Sequence, residues 1–121
     1  MAHKLATATL CLSALAFSSD ASADTPSPDP DPWFGPDKAL HFGAGAGLSA
    51  GGYAIGIIGL DNRWAALAIG SGVALTLGAA KEGLDAAGLG VPSWRDFVWS
   101  AVGTAIGIGF SITFDAALRG P

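Results

Sequence analysis

Eight ionisable residues fall into three short groups: Asp37, Lys38 and His41; Lys81, Glu82 and Asp85; Arg95 and Asp96. On helices, Asp37 and His41 share a face four residues apart, as do Lys81 and Asp85, while Glu82 and Asp85 are three apart. An imidazole among carboxylates can serve as a general base, with Asp37 or Asp96 orienting His41 and Glu82 or Asp85 acting as acid on a lipid-linked substrate. The same donors, His41 with Glu82, Asp85 and Asp96, suit a divalent cation. The alternative is a binding surface for a lipid headgroup, a cell-wall precursor or a partner protein. The sequence carries no HExxH, no G-x-S-x-G elbow, no P-loop and no dinucleotide fingerprint. Binding is therefore the preferred reading: catalytic residues stay unassigned, no metal is assigned and no cofactor is implied.

The elements that must position these groups are apolar. Half of the 121 residues are hydrophobic and only 13% are charged, against about 25% charged in soluble domains. The net charge of −4 leaves no basic face for phosphates, so nucleic acid is excluded as a partner. Three apolar stretches, Ala39–Leu60, Trp64–Ala80 and Phe97–Phe114, hold 22, 17 and 18 residues. None alternates with period two, which disfavours barrel strands. Such lengths approach the roughly 20 residues that span a bilayer. The sequence thus predicts an all-α fold, a small membrane protein with three Gly-rich transmembrane helices after a cleaved signal peptide.

Residues 1–23 read as that signal: Lys4, an apolar run Leu5–Phe17, then the small-x-small site Ala21-Ser22-Ala23, with the mature chain beginning at Asp24. Cys11, the sole cysteine, lies in the apolar run, so the mature chain has no thiol and no disulfide. Residues 24–36 carry five prolines and read as an extended, solvated spacer, with Trp33 and Phe34 at the membrane surface. The membrane domain is then 37–121. With Asp24 outside, the first helix runs inward, Asp61 to Arg63 turn inside, and Lys81 to Asp96 return outside. All eight ionisable residues meet at the outer, periplasmic face of an inner-membrane protein.

Glycine takes seven positions in the first stretch. Small-xxx-small stripes let helix backbones approach closely in lipid. Gly43, Gly47 and Gly51 form one such stripe, Gly70, Ala74 and Gly78 another, and Gly103 with Gly107 a third. The expected product is a tight three-helix bundle that a second copy could complete as a homo-oligomer. Ser93 with Asp96 reads as a capping box opening the third helix, and Asp96, Ser100, Gly103 and Gly107 lie on one stripe.

The ordered set Asp37-Lys38-x-x-His41-Phe42, Lys81-Glu82-x-x-Asp85, and Ser93-x-x-Asp96 with Gly103 and Gly107 behind it resembles the YfiM-type family of predicted periplasmic lipoproteins of unknown function. It is similar, more distantly, to VanZ-like membrane proteins. The resemblance spans about Asp37 to Gly107. It implies an envelope protein, in the VanZ-like case one associated with glycopeptide-antibiotic tolerance, and it implies no reaction. The chain departs from VanZ-like proteins at Ser100, where they tend to carry Asn. It departs from the lipoproteins in having Leu10 before Cys11, which is not a lipobox.

Overall fold

The computed structural model describes residues 30–121; the expected leader, its cleavage site and Cys11 lie outside the described residues. Three helices follow one another: α1 (Pro36–Leu60), α2 (Arg63–Leu84), which continues into a π-helical turn (Asp85–Leu89), and α3 (Trp94–Arg119). No strand occurs among the described residues. The three apolar elements, counting the π turn with α2, are 25, 27 and 26 residues long. At about 1.5 Å per residue they exceed the roughly 30 Å of hydrocarbon, so their charged ends reach the interfaces.

Each boundary has a local cause. Pro36, expected to close the spacer, instead opens α1, where its missing N–H is one the helix would leave unpaired anyway. Asp61 ends α1 in the left-handed conformation (φ 50°), and Asn62 caps α2 by accepting from the Ala65 N–H at 3.1 Å. The two-residue turn makes α1 and α2 antiparallel neighbours. Within the π turn past α2, Gly88 breaks the helical geometry with a φ of 105°, which suits a residue without a Cβ.

Burial is inverted relative to a water-soluble protein. Among the described residues, the buried hydrophobic ones are Tyr53, Ala66 and Ala74, whereas Lys38, Ser49, Asp85, Ser93, Asp96, Ser100, Thr104 and Asp115 are all buried. Large apolar side chains such as Ile58, Trp64, Phe110 and Leu118 point outward. Lipid tails solvate leucine as well as a protein core does, so helices in a bilayer gain by pairing polar groups and by close backbone contact. The chain is a small all-α membrane protein.

The close contacts use a different face of α1 from the one expected. A Cβ at Gly43, Gly47 or Gly51 would meet nothing within 4 Å, because this stripe faces away from α2 and α3. The packed face is Gly45, Ser49, Gly52 and Gly56. A Cβ at Gly52 would lie 2.8 Å from the Gly70 Cα, and one at Gly56 2.7 Å from the Ala66 Cα. On the α3 side, Gly45 faces the Ser100 carbonyl, Gly103 the Phe42 carbonyl, and Gly107 the Ser49 hydroxyl and Ala46 carbonyl. The expected stripes of α2 and α3 are thus packed; that of α1 is rotated.

Ser49, fully buried, shares its hydroxyl between the carbonyls of Ala46 and Thr104, each at 3.1 Å, and Thr104 in turn donates to the Ser100 carbonyl at 2.8 Å. At the turn end, Tyr53 donates to Asp115 Oδ2 at 3.1 Å and Arg63 Nε to the same oxygen at 2.5 Å. Arg63 also reaches the Gly120 carbonyl, and Arg119 pairs with Asp61. These contacts clamp the ends of α1 and α3 to the start of α2.

Gly103→Leu or Gly107→Leu should therefore cost roughly 1–3 kcal/mol or more through overpacking. In a detergent thermal-denaturation series both midpoints should fall by several degrees, while Gly47→Leu stays close to wild type. A comparable fall for Gly47→Leu would place the contact face elsewhere.

Candidate functional site

The end of the bundle opposite the Asp61–Asn62 turn collects the eight ionisable residues singled out in the sequence, and its centre is Lys38. Lysine is rarely buried without partners, yet Lys38 is 2% exposed. Its Nζ lies 2.6 Å from Asp31 Oδ1, 2.9 Å from Asp37 Oδ2 and 2.6 Å from Asp96 Oδ1. Asp31 comes from the proline-rich segment, Asp37 from α1 and Asp96 from α3. One ammonium thus joins three parts of the chain.

Residues 31–35 are consequently held against the helices and are not a solvated spacer. Asp31 also accepts from the Ser93 hydroxyl at 2.8 and 2.9 Å, and its backbone carbonyl accepts from Arg95. The Arg95 guanidinium sits over the rings of Trp33 and Trp94, 5.1 and 5.7 Å from their centroids. Trp33 meets Trp94 edge to face, Phe34 meets Trp99 likewise, and Trp99 Nε1 donates to the Trp33 carbonyl at 2.7 Å. Trp33 and Phe34 remain exposed while packing on α3. The Lys38 hydrogen bond, outweighing partial desolvation, holds the Asp31 carboxyl below its ordinary value of 3.8.

Asp96 has a second partner. Its Oδ2 lies 3.2 Å from His41 Nε2, and His41 Nδ1 lies 3.2 Å from Ser100 Oγ. Only half of the expected capping box forms. Ser93 Oγ accepts from the Asp96 N–H at 3.2 Å, but the Asp96 carboxylate turns inward to Lys38 and His41. The Ser93 N–H is taken by Glu82 Oε2 at 2.6 Å, so a carboxylate from α2 supplies the other half of the cap. Lys81 pairs with buried Asp85 at 2.5 Å, one turn away on the same helix.

All eight predicted residues thus stand at one end, but in separate roles. Asp37, Lys38, His41 and Asp96 form one connected network; Glu82 approaches it, with one oxygen within 4.8 Å of His41 and Asp96 ligand atoms. Lys81 with Asp85 stands beside it, and Arg95 belongs to the aromatic clasp. Asp31 was missed because nothing in a Pro/Asp repeat marks which carboxylate folds back. Tyr53 and Asp115, at the other end, were missed too. A signal for Asp115 existed: the stripe Asp96, Ser100, Gly103, Gly107 continues through Ser111 to Asp115.

Between α1 and α2, on the polar side of their close contacts at Gly52–Gly70 and Gly56–Ala66, lies a groove of about 280 Å³. Its walls are apolar, from Leu40, Ala44 and Leu48 on α1 and Ala74 and Leu77 on α2; His41, Lys81 and Ser100 supply its polar groups. Asp96, His41 and Ser100 form an acid–base–hydroxyl file opening on this groove. Ser100 sits inside α3, whose amides are consumed by the helix ladder, so no backbone N–H beside it is free to stabilise an oxyanion.

The fold and site define a small membrane protein with a buried ion network and a lateral apolar groove. No protein-family profile, curated protein or solved structure matches the chain.

Removing Lys38 leaves the buried Asp96 carboxylate without its ammonium partner. Lys38→Met should cost about 3–5 kcal/mol, and pairing it with Asp96→Asn should recover part of the loss in a double-mutant cycle of detergent melts. Asp31 adds a pH dependence. Its folded value lies below its unfolded one, so its contribution is complete above about pH 4 and is lost as pH falls through the folded value. Between pH 6 and pH 3, wild type should lose more midpoint temperature than Asp31→Asn.

Proposed function

We propose that this is a small envelope membrane protein that binds a membrane lipid or a lipid-linked envelope precursor, with an acyl segment in the α1–α2 groove and the headgroup at His41 and Lys81. The observation that carries this reading is the groove itself: apolar walls along the membrane-spanning parts of two helices, ending in polar groups at the interface. Its volume falls just below the usual range for small-molecule sites and suits part of one chain, with the remainder lying in bulk lipid.

The signal-like segment at 1–23 supports placing the polar end on the periplasmic side of the inner membrane. The resemblance to YfiM-type and VanZ-like proteins supports an envelope role. The outward Gly43-Gly47-Gly51 face is the surface on which a second copy would pack.

The reading is tested by native mass spectrometry of the protein extracted from membranes. Wild type should retain a stoichiometric lipid. Ala44→Phe, which fills the groove, should lose it while keeping its thermal midpoint, and Lys81→Ala should weaken retention of anionic lipid more than of neutral lipid. A wild-type protein free of lipid, or Ala44→Phe carrying the same lipid, would count against the groove.

A further inference from the structure

We propose that His41, Glu82 and Asp96 form a binding site for a divalent transition-metal ion. One residue comes from each helix, and a ligand atom of each lies within 4.8 Å of the other two. The inference does not rest on the lipid reading.

Several independent features converge on it. His41 Nε2 and Asp96 Oδ2 are 3.2 Å apart. Two ligands each about 2.1 Å from an ion are separated by roughly 3.0–3.4 Å at octahedral or tetrahedral angles. In each residue the other polar atom is already engaged. His41 Nδ1 is at Ser100 Oγ, Asp96 Oδ1 at Lys38 Nζ, and Glu82 Oε2 on the Ser93 N–H. Orientation of a ligand through its second atom is what metal sites require. Glu82 Oε1 is buried and receives no hydrogen bond, a costly condition for a carboxylate.

Charge points the same way. Among the described residues, this end of the bundle brings five carboxylates (Asp31, Asp37, Glu82, Asp85, Asp96) against three cations (Lys38, Lys81, Arg95). With His41 neutral, two negative charges are left in excess, which a single divalent cation cancels. The other close trio of carboxylates, Asp31, Asp37 and Asp96, surrounds the Lys38 ammonium and needs no metal. Asp85 is engaged by Lys81 and takes no part.

One imidazole nitrogen with two carboxylate oxygens suits Mn²⁺ or Zn²⁺. Binding places the ion on His41 Nε2 and releases any proton there; Nδ1–H then donates to Ser100 Oγ, which holds the neutral ring in the coordinating tautomer. Three protein ligands leave coordination positions for water or for a phosphate oxygen.

The test uses the full chain in detergent, stripped with a chelator and titrated with Mn²⁺. Wild type should bind one equivalent, read as loss of the free-ion EPR signal, and its thermal midpoint should rise. Zn²⁺ should displace the Mn²⁺. His41→Gln and Glu82→Gln should each weaken binding by about tenfold or more and abolish the midpoint rise. Asp61→Asn, an acidic residue at the far end, should leave both readouts unchanged. Glu82→Gln keeps the side-chain shape and an amide oxygen for the Ser93 N–H, so it remains informative if His41→Gln fails to fold. No saturable Mn²⁺ binding by wild type, or undiminished binding by Glu82→Gln, overturns the site. The lipid measurement uses a different variant and a different readout, so either result can fail alone.

Discussion

An ammonium group withdrawn from water must be surrounded by carboxylates, and Lys38 meets that requirement with three, drawn from distant parts of the chain. Desolvating such a charge costs several kcal/mol, which only well-placed partners offset. The geometry of this end follows from that constraint. Asp96 must face inward, so it cannot close its own helix cap and Glu82 takes over the Ser93 N–H. Asp31 must fold back, which carries Trp33 and Phe34 onto α3. His41 lies one turn beyond Lys38 and meets the second oxygen of Asp96.

Between the two polar ends the helices are held by proximity of backbone to backbone. Glycine in a helix sacrifices roughly 0.5–1 kcal/mol relative to alanine in water, but here it lets carbonyls of one helix rest on the Cα atoms of the next. Ser49 and Thr104 add hydrogen bonds to main-chain oxygens within the seam. Such bonds in a bilayer are worth about 1 kcal/mol each. They also fix which face of α1 meets α3, because a hydroxyl turned to lipid would have no partner beyond its own helix.

Much of this was legible in the sequence. Three apolar runs of near-spanning length require three crossings, and crossings alternate in direction, which by itself gathers Asp37 to His41, Lys81 to Asp85 and Arg95 to Asp96 at one end. The capping role of Ser93 was legible because it is local. The choice of packing face was not. Gly43, Gly47 and Gly51 and the set Gly45, Ser49, Gly52 and Gly56 are both small-residue stripes on α1, and spacing alone ranks them equally. The polar Ser49 and the single tyrosine, Tyr53, on the second face are what distinguish it. The fold-back of Asp31 depends on the reach of a lysine side chain across a non-helical segment, and no periodicity encodes that.

The rotational registration of α1 has a consequence for which changes in chain length the protein can absorb. Along one face, α1 presents Lys38 and His41 to one ion network, Gly45, Ser49, Gly52 and Gly56 to its neighbours, and Tyr53 to Asp115 near the other end. Inserting one residue anywhere between them would turn everything beyond it by about 100°. The same holds for α3 between Asp96 and Asp115, and the two-residue turn at Asp61–Asn62 has no slack. Residues 86–92, by contrast, are exposed throughout. Insertions and deletions in this lineage should accumulate there, while the helices keep their lengths to the residue.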